Sequence, residues 1–409
     1  MKVEIITIGD ELLIGQVIDT NATWIAHQLT QHGFEIVAIS TIGDCSEDII
    51  KAIDIAFERA DILILTGGVG TTNDDITKHT LCQYFHTALE LNDEVLQNIE
   101  SIFLKRNLEL NKLTYNQAYV PANSNVIQNR EGTAPILWFE KEDKLLISMP
   151  GVPYEMKTAI DKDVIPMLEE RFHVNQYVSC SCIITGITES DLATKLVDFE
   201  LLLPSGYSLA YLPSLGYIML RLSVWGDEHM EELKHQMRNL KQIVKANYVS
   251  KGSKLPEELL SDKLQKKKLT LSTAESCTGG HIAHKITLVA NASKYFIGSI
   301  VSYANSVKEQ LLNIDKGTIE KNGVVSKEVV EQMAINVSKT LNTSCSIAVS
   351  GYMGPDGGQK DQPVGTVWIA TMYNNEIISQ LYNVGRSRKQ NIERTANLAI
   401  LQLLNMIGK

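Results

Sequence analysis

The stretch TLSTAESCTGGHIAHKIT, residues 270–287, places Ser276 where a strand ends and a helix begins, with Thr278, Gly279 and Gly280 directly after it. A helix N-terminus presents free backbone N–H groups that suit an anion, and glycines let a substrate approach the backbone closely. A serine at that junction is placed to attack a carbonyl while neighbouring amides receive the oxyanion. The bland alternative is that Ser276 and Thr278 only cap the helix. A strand-to-helix turn of this kind belongs to a β/α layered fold, and the flanking sequence repeats the alternation.

Downstream, strands are expected at 269–274, 295–303, 345–351 and 364–373. Helices carry the stripes Val329, Met333, Val337, Leu341 and Ile392, Ala396, Leu403, Ile407, which read as core. Three segments then meet at the carboxyl edge of one sheet. The second, SYANSVK, puts Tyr303 at a strand end and Lys308 in the first helical turn, where the helix dipole disfavours an ammonium and a general base becomes available. The third is the polar loop SGYMGPDGGQKDQPVGTVW, 350–368, whose glycines can line an anion site. Cys277 is a rival nucleophile, because a helix N-terminus lowers a thiol pKa and His281 follows one turn on. A Ser-His-Asp arrangement is the weaker reading, since His281 and His284 both fall inside the helix.

Upstream, VEIITIG (3–9), EIVAISTIG (35–43) and DILILTGG (61–68) read as strands separated by helices, which makes a parallel, doubly wound sheet. The second helix has Ile49, Ile53 and Phe57 on one face, with Ser46 as N-cap. TGGVGTTNDD, 66–75, follows a strand and opens a helix, so its glycines and Thr72 suit a phosphate-cradling turn. Asp44, Asp74 and Asp75 add carboxylates able to hold Mg²⁺ against a diphosphate. Between the two α/β parts, residues 176–252 read as a small α+β module with helices near 189–200 and 227–246, followed by the polar stretch VSKGSKLPEE.

The chain has 409 residues, enough for two or three domains, and a formal charge of −10, which argues against a nucleic-acid partner. Lys266, Lys267 and Lys268 read as a solvated helix end. Six scattered cysteines without a C-x-x-C pair indicate neither a disulfide framework nor a zinc site, and no signal or membrane-spanning segment is evident, so a cytoplasmic protein is expected.

AESCTGG, SYANSVK, the GPDGG loop and PVGTVW resemble the C-terminal domain of the CinA family, which is similar to nicotinamide mononucleotide (NMN) deamidase. GDELLIGQVIDTNA, TGGVGTTNDD, NREGTAP and MPGVPYEM resemble the molybdopterin-binding-like domain of the same family. The resemblance implies an α/β chain of three domains. They are a doubly wound molybdopterin-binding-like domain at 1–170, a small α+β KH-like domain at 171–252, and an α/β CinA deamidase domain at 253–409. The KH-like part lacks the G-x-x-G loop that clamps nucleic acid and reads as a spacer or assembly module.

For the C-terminal part the resemblance implies metal-free hydrolysis of the NMN amide to a carboxylate and ammonia. Ser276, Tyr303 and Lys308 would be catalytic. Cys277, Thr278, Gly279, Gly280, Gly351, Gly354, Asp356, Gly357, Gly358 and, for the phosphate, Arg388 would bind substrate. For the N-terminal part it implies either a divalent-cation-dependent ADP-ribose pyrophosphatase or a pterin-binding module, with the first expected by analogy to the C-terminal chemistry. Asn21, Gly67, Gly68, Gly70, Thr72, Asp74, Gly132 and Thr133 would bind substrate there, and Asp44 and Asp75 the metal, Mg²⁺ or similar. The partners implied are small nucleotides and further copies of the chain, not a membrane. Tyr352, Met353, Thr71 and Ile136 depart from the family pattern, and the bulk of Ile136 is expected to obstruct the N-terminal site. A competence or DNA-damage adaptor with vestigial pockets remains the alternative from another functional class.

Overall fold

The computed structural model describes residues 1–72, 75–385 and 387–408, and the chain divides into two compact units. The first comprises Met1–Val178 and Trp225–Met230, the second Ser179–Val224 and Glu231–Lys409.

The strands of the first unit are β1 (Lys2–Ile8), β2 (Glu35–Ile42), β3 (Ile62–Thr66), β4 (Leu89–Leu91), β5 (Tyr119–Pro121), β6 (Asn125–Ile127), β7 (Ile136–Lys141) and β8 (Lys144–Met149). Six of them form a sheet in the order β2-β1-β3-β8-β7-β6, while β4 and β5 make a separate ribbon. The four strands at the β2 side are parallel, as expected from the helices between them. β3 is buried along its whole length, as a strand covered on both faces must be. The sheet is mixed and not purely parallel, because β7 and β8 are joined only by Glu142 and Asp143. A two-residue turn, here with Glu142 at φ 57°, can only reverse the chain.

Ile49 and Ile53 are fully buried on the helix Ser46–Arg59. Its N-cap is Cys45 and not Ser46: the Ser46 hydroxyl pairs with Thr80 Oγ1 at 2.8 Å instead, which takes it away from the helix amides. Ile136 also departs from expectation. It is fully buried in the core with Ile127, Trp138 and Ile147, so its side chain fills the sheet's hydrophobic layer and does not obstruct a cavity.

In the second unit, β9 (Tyr177–Ile184), β10 (Ser208–Ser214), β11 (Tyr217–Trp225) and β12 (Tyr248–Lys251) form a sheet in the order β10-β11-β9-β12, with helices at Glu189–Leu201 and Met230–Ile243. A second sheet has the order β14-β13-β15-β16-β17, from β13 (Leu271–Glu275), β14 (Phe296–Val301), β15 (Cys345–Gly351), β16 (Thr366–Tyr373) and β17 (Glu376–Asn383). β13, β14 and β15 are parallel, so their carboxyl ends open on one edge. β16 and β17 run antiparallel through Asn374 and Asn375, both at positive φ.

Val329, Met333 and Val337 are fully buried on the helix Lys327–Leu341, and Ala396, Leu403 and Ile407 on the helix Arg388–Gly408, so both stripes are core. Lys266 and Lys267 lie in the last turn of the helix Pro256–Lys267 and Lys268 is its exposed left-handed C-cap. Among the described residues no helix is long and apolar enough to cross a membrane.

Candidate active sites

At the carboxyl ends of β13 and β14, Ser276, Cys277, Tyr303, Lys308, Gly351 and Arg388 line one cavity of about 180 Å³. Asn305, Val324, Val325, Ser350, Tyr352 and Met353 complete its wall. Tyr352 and Met353 line the same cavity as Ser276, as expected of bulky residues in that loop. Thr278, Gly279 and Gly280 are not in the wall, and Asp356, Gly357 and Gly358 lie exposed away from it.

Lys308 is 1% exposed, and its Nζ donates to the carbonyls of Ser302 (2.6 Å) and Tyr303 (3.3 Å). Burial lowers its pKa. A neutral amine has two N–H donors and one lone pair, so two carbonyl partners leave the lone pair as the remaining feature. The direction agrees with the expected one, and its cause here is desolvation.

Arg388 spans the mouth of the site: Nη2 donates to Tyr303 Oη at 3.0 Å and Nη1 to the Gly354 carbonyl at 2.8 Å. A guanidinium carries five N–H donors, so three remain for a ligand. One turn along, buried Asn391 donates to the Met353 carbonyl at 3.0 Å and helps pin the same loop.

The turn after Ser276 does not work as its composition suggests. Glu275, fully buried, accepts from the amides of Gly280 (3.0 Å), Ile282 (3.0 Å) and Ala283 (2.8 Å) and from the Thr278 hydroxyl (2.7 Å). The helix N-terminus that was expected to hold a substrate anion is therefore filled by the chain's own carboxylate. Among the described residues the amide of Cys277, which lines the cavity, donates to no backbone acceptor, which leaves it as a candidate oxyanion donor.

Burial pushes the Cys277 thiol up to about 12, with Glu275 adding to the effect, so it stays protonated at neutral pH and is a poor rival to Ser276. His281 is also accounted for. Its Nε2 lies 2.6 Å from Glu393, which also binds Lys285 at 2.8 Å.

In the first unit, the carboxyl ends of β1, β3 and β8 surround a cavity of about 470 Å³. Asn21, Gly67, Gly68, Gly70, Thr133, Asp44 and Asp75 line it; Thr72 and Gly132 do not, and Asp74 lies outside the described residues. Gly67 is obligatory, since a Cβ there would sit 2.2 Å from the Ile8 carbonyl oxygen.

The glycine turn again holds a carboxylate of its own. Asp75 accepts from the amides of Gly70 (2.7 Å) and Thr72 (2.8 Å) and from the Thr72 hydroxyl. This corrects the phosphate-cradling reading at those two amides. Asp44 Oδ2 accepts from the Asp10 amide at 3.1 Å.

Sequence reading missed two organising residues here. Buried Asn129 donates to Glu155 (2.7 Å) and to the Ala134 carbonyl (2.9 Å), which shapes the NREGTAP loop. Buried Gln117 donates to the carbonyls of Val69 and Gly70. Asn129, three residues before Gly132, was an available signal, whereas Gln117 stands far from any glycine in the sequence and its partners are 47 and 48 residues away.

No group of three or more Asp, Glu, His or Cys side chains able to hold a metal occurs among the described residues. Five carboxylates (Glu11, Asp19, Asp44, Asp75, Glu155) nevertheless face the cavity, with no Lys or Arg among its described lining residues. That donor set fits a hydrated cation arriving with a diphosphate, because Mg²⁺ is held by one or two carboxylates together with substrate oxygens.

Comparison with known proteins assigns residues 254–407 to a family described as "CinA C-terminal domain" and residues 4–170 to one described as "Probable molybdopterin binding domain". A CinA-like protein of Cytophaga hutchinsonii is 41% identical over 98% of this chain and 96% of its own. One of Flavobacterium psychrophilum is 41% identical over 100% and 99%. A competence/damage inducible protein from Agrobacterium tumefaciens, solved as a crystal structure, is 31% identical over 39% of this chain and 100% of its own, with a TM-score of 0.36.

Proposed function

The chain belongs to the CinA family, and from that membership we propose that it is a two-site pyridine-nucleotide hydrolase. The second unit releases ammonia from NMN, and the first cleaves the diphosphate of ADP-ribose. The observation that carries the amidase reading is the convergence of Ser276, buried Lys308, Tyr303 and Arg388 on one small cavity.

In that reading Ser276 Oγ attacks the carboxamide carbon and passes its proton to neutral Lys308. The developing oxyanion is received by the amide of Cys277. Collapse expels ammonia, protonated by Lys308 with the Tyr303 hydroxyl in reach of the leaving nitrogen, and water then hydrolyses the acyl-serine ester. Arg388 offers its spare N–H groups to the nucleotide phosphate.

In the first unit, Asp44 and Asp75 are the residues that would hold a divalent cation. When bound, such a cation neutralises diphosphate charge and polarises the bond to be broken. The acid lining of the cavity supports this, since an unaccompanied diphosphate would be repelled there.

The test is to incubate the purified protein with NMN and with ADP-ribose, each with and without a chelator, and to identify the products. Expected are chelator-resistant ammonia release, lost in Ser276→Ala, and chelator-sensitive ADP-ribose cleavage. Full amidase activity in Ser276→Ala, with loss in Cys277→Ala, would move the nucleophile to the thiol.

A further inference from the structure

A second cavity of about 440 Å³ lies on the other side of the glycine turn, sharing Val69, Gly70, Thr71, Asp75 and Gln117 with the first. Its remaining wall includes Thr72, Ile76, Lys78, His79, Asn116 and Tyr119. Lys78 stands on the first turn of the helix Thr77–Tyr84, which the turn itself leads into. Its Nζ donates to the Asn116 carbonyl at 3.1 Å, and among the described residues no carboxylate pairs with it.

Three observations bear on what this cavity takes. The amides of Gly70 and Thr72 already serve Asp75, so those two turn amides are not available to a phosphate. The first cavity presents five carboxylates and, among its described lining residues, no Lys or Arg, so it repels an anion. Gln117, 3% exposed, keeps Oε1 without a hydrogen-bond partner among the described residues while its Nε2 is fully used, leaving a buried acceptor in the wall common to both cavities.

We propose that the two cavities form one bipartite site for a sugar or nucleoside phosphate, in which Lys78 takes the phosphate in the second cavity and Gln117 Oε1 accepts from a ligand hydroxyl or amino group at the shared wall. The first cavity then receives the donor-rich remainder, whose hydroxyl or N–H groups suit carboxylate acceptors. Burial depresses the Lys78 ammonium to about 8, a desolvation cost that an incoming anion relieves. The inference deepens the ADP-ribose reading by naming the residue that reads the charge, and it rests on that reading only for the choice of ligand.

The experiment measures binding of AMP, ADP-ribose and adenosine to the full chain by calorimetry, without added metal, for wild type, Lys78→Met and Lys78→Arg. Loss of a charge-assisted hydrogen bond should weaken AMP and ADP-ribose about tenfold or more in Lys78→Met, leave adenosine unchanged, and be partly restored in Lys78→Arg. Equal AMP affinity in wild type and Lys78→Met, an equal loss for adenosine, or no binding of either phosphate by wild type would overturn the proposal. ADP-ribose that binds through Lys78 yet is not cleaved with any divalent cation leaves the proposal standing and removes the pyrophosphatase reading.

Discussion

Lys308 and Cys277 both line the cavity of the second unit, and burial acts on them in opposite senses. It lowers the lysine from its ordinary 10.5 and raises the thiol to about 12. The active form of Lys308 as a base is the neutral amine, which is populated above its folded pKa. Ammonia release from NMN should therefore rise with pH along a limb lying below the ordinary lysine value, and Lys308→Ala should lower kcat about 10²-fold or more and abolish the limb. A pH–rate profile of the two proteins checks this; an unchanged limb in the variant would assign it to another group. The thiol gives the complementary expectation: iodoacetamide at pH 8 should leave Cys277 unlabelled, as mass spectrometry of the peptide would read. Ser276, Tyr303 and Lys308 were legible because residue type and position at a strand end or helix start suffice to suggest them, whereas Arg388 came only through the family resemblance. Lys78 and Gln117 were not, since a lysine on a helix and a glutamine in a short 3-10 turn are ordinary until the fold shows what they face.

Helices and strands followed their periodicity closely where burial was one-sided or complete, as in β3, β13, β15 and the stripes of Lys327–Leu341 and Arg388–Gly408. The direction of β7 against β8 was set by a two-residue connection that hydrophobic pattern does not report. Glu275 was invisible for a related reason: one of its partners is eight residues downstream, and the approach depends on Gly279 and Gly280 at φ 61° and 100°. That carboxylate, fully buried, satisfies three backbone donors and the Thr278 hydroxyl, with the Thr273 and Ser299 hydroxyls more distant at 3.4 and 3.5 Å. Glu275→Ala should cost the second unit about 3 kcal/mol or more, because buried donors left without acceptors retain their desolvation penalty. Urea unfolding with an unchanged slope measures it, and a loss below about 1 kcal/mol would mean that water replaces the carboxylate in full.

Each of the two compact units contains one candidate site built only from its own residues. The chemistries should consequently separate: Asp44→Ala should end ADP-ribose cleavage and spare ammonia release, and Ser276→Ala should do the reverse. Product analysis of both substrates with both variants checks this, and loss of both activities in either variant would reveal coupling. The units share one further property, an internal carboxylate seated on a glycine-rich turn, Asp75 in one and Glu275 in the other. Living cells hold inorganic phosphate in abundance, and an open turn of this kind would be occupied by it most of the time. With the turns already filled, free phosphate meets side-chain cations such as Lys78 and Arg388, where it must compete without the help of those turns' amides. Both catalytic rates should thus be buffered against swings in the phosphate pool, so that throughput follows the supply of nucleotide and not the ionic background around it.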